Sequence, residues 1–347
     1  MESVRIDGSM GEGGGQVLRT ALTLALLKQV KVEVFNIRAK RNKPGLLRQH
    51  LTCVRAARDI CDGLIDGDEL GSQRIVLTPN KVKAGDYHFV IGTAGSTSLV
   101  CQTVLLPLAL AGGQSKVTFE GGTHNGMSPS VTFLQEAFLP LLEKMGVKTR
   151  VEVDALGFYP AGGGKWSLHI DPCESLKPLD IDELKGSQTS EHGLLEDRLS
   201  VTAMISHLPV NIAQRETETV AKRLKLKSDI GKIREVSTPG PGNSLIISYR
   251  QNGFSNVFEV VGEVSISAER VAKRAAGRLL KLFNDDVIVD DYLADQLMLP
   301  MAVAGGGSYT TTKPSLHSST NAEVIKLFGI HGLKIEQVNK VWRFSLT

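Results

Sequence analysis

Apolar residues recur at helical spacing in three well-separated stretches, Gly15 to Lys28, Ser96 to Ala111 and Tyr292 to Ala304. Leu18, Ala21, Leu22 and Ala25 illustrate the period. Each stretch ends in a short turn: Lys28-Gln29, Gly112-Gly113 and Gly305-Gly306-Gly307. Glycine just past a helix is the expected stop, because it takes up the left-handed conformation without penalty. A short strand pattern follows each one, Val30 to Ile37, Lys116 to Glu120 and Ser308 to Thr312. A second helix comes next, Leu46 to Cys61, Ser130 to Met145 and Asn321 to Phe328. Two strands then close each unit: Gly71 to Leu77 with Asp86 to Ile91, Lys148 to Val153 with Gly164 to Ile170, and Leu333 to Val338 with Val341 to Leu346.

The order helix–strand–helix–strand–strand therefore occurs three times, each time with a preceding strand available. One such layer leaves its apolar helices uncovered, so the three units are expected to pack around a shared helical core. The third unit is displaced by an insertion. Residues 179–283 read as strand, helix, three strands and helix (199–205, 211–224, 233–237, 244–249, 257–261 and 267–283), a small α/β domain of its own. The fold expected is thus α/β (α+β). Residues 1–178 and 284–347 form three repeats, each a four-stranded sheet with two helices, and 179–283 form the insert.

Composition narrows the function. Lys+Arg number 40 against 37 Asp+Glu, a net charge of +3, which excludes an indiscriminate basic coat for nucleic acid but leaves room for a local basic groove. The longest apolar run, around Val104 to Ala111, contains Pro107 and is too short to span a bilayer. No basic region followed by an apolar stretch opens the chain, so a soluble cytoplasmic protein is expected. Cys53, Cys61, Cys101 and Cys173 show no metal-binding spacing and are expected to be buried thiols.

Four segments carry chemistry. In Gly11-Glu12-Gly13-Gly14-Gly15-Gln16-Val17-Leu18-Arg19 a glycine-rich turn leads into a helix, which offers free N–H groups to phosphate. Glu12 could hold a divalent cation there, and Arg19 a phosphate. The segment fits neither common nucleotide fingerprint. From Arg38 to Arg48 five cationic side chains flank the Pro44-Gly45 corner, a pattern suited to a phosphate-rich ligand or to a solvated surface. Lys313 to Asn321 places His317 just before a helix, at the corner equivalent to the basic one. An imidazole with its ordinary pKa of ~6.5 is largely neutral near pH 7 and can act as a nucleophile or base. Finally, Tyr292, Asp295 and Gln296 share a helix face at i, i+3 and i+4, with Asp290 and Asp291 suited to an acidic helix cap. In the insert, Arg270, Lys273, Arg274, Arg278 and Lys281 crowd the last helix, as a solvated face or a nucleic-acid surface.

Taken in order, these segments resemble the RNA 3′-terminal phosphate cyclase family. Further matches are Glu69-Leu70-Gly71-Ser72-Gln73, Gly92-Thr93-Ala94-Gly95-Ser96, Gly121-Gly122-Thr123-His124-Asn125, Gly157-Phe158-Tyr159-Pro160 and His317-x-x-Thr320-Asn321, which together span nearly the whole chain. The segment Gly126-Met127-Ser128-Pro129-Ser130 departs from the family in having fewer prolines than many members. The resemblance implies three repeats like the C-terminal domain of translation initiation factor three, with an insert of thioredoxin-like topology. It implies that His317 is adenylated by ATP. Glu12 would lie near Mg²⁺ or Mn²⁺, and Arg19, Arg38, Arg41, Gln49 and His50 near phosphate or RNA. Gln102, Pro129, Tyr292, Asp295 and Gln296 would surround the nucleotide, with adenine between Pro129 and Tyr292. The partners implied are RNA 3′-phosphate ends and no membrane; the oligomeric state, a homodimer included, stays open. Two alternatives share the fold: a catalytically inactive cyclase-like ribosome-assembly factor, and a carboxyvinyl transferase without a histidine–AMP.

Overall fold

A computed structural model of the chain describes residues 3–185 and 195–347. Three of its four-stranded sheets repeat one topology. In the first sheet, Ser3–Asp7 runs parallel to Lys31–Phe35, Ile75–Thr78 lies antiparallel to the latter, and Leu64–Asp66 forms the far edge. The second sheet orders Asp86–Val90, Ser115–Gly121, Gly164–Ile170 and Thr149–Ala155 in the same way. The third orders Leu179–Asp180, Gly307–Thr311, Val341–Leu346 and Lys334–Val338. A parallel pair needs a crossover, and a buried helix supplies it in each unit.

These helices are Gly15–Lys28, Thr97–Ala109 and Asp291–Ala304. The second is apolar nearly all round, and all but one of its residues are buried. The outer helices, Arg48–Asp59 in the first unit and Leu316–Leu327 in the third, pack beside them. In the second unit the outer helix runs Val131–Phe133, passes through a π-helical turn at Leu134–Phe138 and ends as Leu139–Lys144. One continuous apolar core joins the three units.

The insert has its own core. Leu199–Ser206, the helix Asn211–Leu224 and Gly231–Glu235 form a parallel β–α–β unit. Gly242–Arg250 and Ser255–Val261 add two antiparallel strands before the helix Ala268–Asp285. This is the thioredoxin-like arrangement. Its other face joins the main core through Met204, Ile246, Phe254 and Val257.

Four sequence expectations need correction. Asp86–Val90 does not close the first sheet; it opens the second, pairing with Ser115–Gly121 (Phe89 opposite Phe119). The strand that closes the first sheet beside Ile75–Thr78 is Leu64–Asp66, three residues too short to display an alternating pattern. Leu179 and Asp180, assigned to the insert, pair with Gly307 and Ser308 and supply the third sheet's first strand. Of the cysteines, Cys53, Cys61 and Cys101 are buried, but Cys173 is half-exposed.

Candidate active site

The N-terminal halves of the three buried helices converge. From the first, Gln16 Nε2 donates to both carboxylate oxygens of Asp295 on the third, at 3.1 and 2.9 Å. Gln102, from the second helix, donates its amide to Gln296 Oε1, one residue beyond Asp295. Three of the sequence candidates thus meet where the equivalent helices of the three units approach one another.

His317 completes this arrangement. It does not precede a helix, as the sequence suggested, but lies in the first turn of Leu316–Leu327, behind the N-cap Ser315. Serine and proline before a helix are ordinary start signals, and the run of Ser and Thr after His317 hid the continuing helix. His317 Nδ1 stands 3.0 Å from Gln16 Oε1 and 3.6 Å from Glu12 Oε2. An ionised carboxylate only accepts, so Asp295 fixes the Gln16 amide with its NH₂ inward and its oxygen toward the imidazole. Nδ1 therefore carries the ring proton, which leaves the Nε2 lone pair available. The side chain is about half-exposed, open to a ligand. Burial pushes the Asp295 carboxyl pKa up, against the Gln16 hydrogen bonds and the charge of Arg19.

The glycine-rich turn is tied to the same helix. Glu12 N–H donates to Thr320 Oγ1 at 3.0 Å, and Thr20 Oγ1 donates to Asn321 Oδ1 at 2.7 Å. Gly11 has φ +51°, and a Cβ there would stand 2.1 Å from Thr320 Oγ1, so the close approach of the turn requires glycine. The motif of His317, Thr320 and Asn321 thereby acquires a physical role: the last two residues clamp the first helix to the helix that carries the imidazole.

Cations line the other side. Arg41 pairs with Glu12 Oε1. Arg38 sends Nη1 to the carbonyls of Lys43 and Gly45 at 2.6 and 2.8 Å, so part of its guanidinium braces the Pro44-Gly45 corner. Arg19 is half-buried. A Cβ on Gly15 would stand 2.4 Å from His50 Nε2 and 2.9 Å from Arg19 Nη1, which puts both groups against the glycine-rich turn. His50 Nδ1 accepts the Leu47 N–H at 3.3 Å. The neutral ring then presents an Nε2–H donor toward that turn.

Burial, followed by the charges of Arg19 and Arg38, pushes the His50 pKa down to about 3. This gives a stability prediction. The folded value lies below the ordinary ~6.5, so the unfolded chain binds this proton first as pH falls. The His50 contribution is complete above pH ~6.5 and erodes from there toward pH ~3, by up to about 1.4 kcal/mol per pH unit. Urea unfolding of the native chain and of His50→Gln at a series of pH values in this window should show the slope reduced in the variant. Parallel slopes would mean that His50 protonates freely in the folded state.

Of the remaining candidates, Pro129 is held near the cluster: Ser98, one turn before Gln102, donates its hydroxyl to the Pro129 carbonyl. Tyr292 lies one turn before Asp295 and Gln296, with its side chain largely exposed. Gln49 is the exception, since its Oε1 accepts the Ser96 N–H at 3.0 Å and joins the first two units. Gln16 was not among the candidates, although it connects Asp295 to His317. No sequence pattern marks a glutamine whose role depends on which amide atom faces which neighbour.

With this geometry, comparison with known proteins is decisive. The sequence model of the RNA 3′-terminal phosphate cyclase family matches residues 10–335. The chain belongs to the RNA 3′-terminal phosphate cyclase family. It is 41% identical to the RNA 3′-terminal phosphate cyclase of Koribacter versatilis, over all of this chain and 96% of that protein. The cyclase of Ralstonia nicotianae is 42% identical over 94% of this chain and 91% of its own length. That of Salmonella enteritidis is 39% identical over 94% and 93%. The fold expected from the resemblance is the one observed, three like units and an insert. No helix among the described residues is long and apolar enough to cross a membrane.

Proposed function

We propose that this chain converts RNA 3′-phosphate ends to 2′,3′-cyclic phosphates at the expense of ATP, through a covalent histidine–AMP. The observation that carries this reading is the chain of contacts Asp295–Gln16–His317, which holds a proton on Nδ1 and frees Nε2. In the first step His317 Nε2 attacks the α-phosphorus, the bond to the bridging oxygen breaks, and pyrophosphate leaves. In the second an oxygen of the RNA 3′-phosphate attacks the same phosphorus. The N–P bond breaks, and the products are free His317 and RNA-(3′)pp(5′)A. In the third the neighbouring 2′-OH attacks the RNA phosphorus, loses its proton to solvent and expels AMP. Splitting the reaction through a covalent intermediate is nucleophilic catalysis.

Arg19, Arg38, Arg41 and the His50 Nε2–H are suited to hold phosphate oxygens as charge develops on them. Glu12 is the residue that would hold Mg²⁺ or Mn²⁺. Among the described residues no three His, Cys, Asp or Glu side chains gather for a metal. A lone carboxylate still fits Mg²⁺, which commonly takes one or two carboxylates and completes its shell with phosphates and water. When bound, the ion would neutralise charge on phosphate oxygens.

The test is a product balance. With ATP, Mg²⁺ and a 3′-phosphate oligoribonucleotide, one AMP and one pyrophosphate should appear per cyclic end formed. A 3′-hydroxyl oligonucleotide should give neither beyond a single turnover of pyrophosphate. Equal, negligible AMP from both ends would favour the non-catalytic assembly-factor reading.

A further inference from the structure

The insert grips the nucleotide-facing helix at its N-terminus. Asp290 caps that helix by accepting the Leu293 N–H at 2.9 Å, and the Asp290 N–H donates to Asn256 Oδ1 of the insert at 3.2 Å. The Asp290 carboxylate also pairs with Arg278, on the insert's last helix. Arg270, Lys273, Arg274 and Lys281 on that helix are exposed, whereas the Arg278 side chain is only 23% exposed. Its guanidinium lies 3.8 Å from the centroid of the Tyr292 ring and 5.6 Å from that of Phe258. One face of the Tyr292 ring is therefore covered by a planar cation, while the residue as a whole stays 59% exposed.

We infer that Arg278 is a positioning residue for the nucleotide base: it stacks beneath Tyr292 and holds the ring's open face as a fixed platform, so that the insert sets the site's affinity for ATP. This rests on the nucleotide reading of the site. An exposed tyrosine samples several rotamers, and immobilising such a side chain on binding costs about 0.5–1.5 kcal/mol. A guanidinium stacked on the ring and anchored to a buried aspartate meets that cost during folding. Lysine at this position could keep the ion pair but has no flat face to stack.

Calorimetric titration with two probes, the Mg²⁺ complexes of ATP in its α,β-methylene form, which cannot release pyrophosphate, and of tripolyphosphate, separates base from phosphate. Arg278→Ala should weaken ATP about five- to tenfold and leave tripolyphosphate unchanged. Arg278→Lys preserves the charge on Asp290, and so the fold should the alanine variant not fold; it should still weaken ATP about threefold or more. In a Tyr292→Leu background the Arg278→Ala penalty on ATP should largely vanish, because the two residues act through one platform. Equal weakening of both probes, no weakening by either variant, or a full Arg278 penalty without Tyr292, would overturn the inference. The nucleotide reading fails separately, and this inference with it, if the native chain binds tripolyphosphate as tightly as ATP.

Discussion

His317→Asn should abolish cyclisation of 3′-phosphate RNA, by at least ~10⁴-fold, while leaving the chain folded. The imidazole is half-exposed, and its contacts are Gln16 and Glu12. Its removal opens no core cavity, so the stability cost should stay near or below about 1 kcal/mol. The nearest side chains are poor substitutes as nucleophiles. The Glu12 carboxylate is paired with Arg41, and Asp295 accepts two bonds from Gln16. A carboxylate attack would also yield a far more labile anhydride. Single-turnover assays with radiolabelled RNA give the rate. Retention of more than a hundredth of native activity in this variant would place the nucleophile elsewhere.

A 3′-phosphate oligonucleotide with a 2′-deoxy terminal sugar should accept AMP and stop there. In the proposed mechanism the protein contributes one nucleophilic nitrogen, that of His317, and the closing step needs a second nucleophile. The substrate must supply it, and the 2′-OH is the group that covalent geometry holds beside the 3′-phosphorus. Intramolecular attack gains an effective molarity of ~10⁵ M or more over a free hydroxyl. Without the 2′-OH, water is the remaining acceptor, and AMP release should fall by several orders of magnitude. The adenylylated strand should accumulate on a denaturing gel. AMP release from the deoxy strand at the ribose rate would remove the 2′-OH from the mechanism.

Much of this architecture is legible in the sequence, because the three crossover helices are long, apolar and stopped by Gln29 in the left-handed region or by a nearby glycine. What was not legible is pairing. Asp86–Val90 looks the same whether it closes one sheet or opens the next. Leu179–Asp180 finds its partner only across the whole insert. The candidate residues around Gln16 were visible as residue types near glycine-rich turns. Their connection was not: it depends on three helices from distant parts of the chain meeting at their N-terminal halves. In the sequence Arg278 is one of five cations on a helix that suits a solvated face or a nucleic-acid surface. Its distinction is a contact with Tyr292 and Asp290 that helical spacing cannot reveal.

The central claim is that ATP is split onto one imidazole nitrogen. Intact-mass spectrometry of the native chain after incubation with Mg²⁺–ATP tests it most directly, followed by peptide mapping under alkaline conditions, since a phosphoramidate survives alkali and is lost in acid. The account predicts a gain of one AMP per chain, carried by the peptide that contains His317, labile to acid and discharged by 3′-phosphate RNA. An unmodified mass, or AMP on a lysine or a carboxylate, would contradict it.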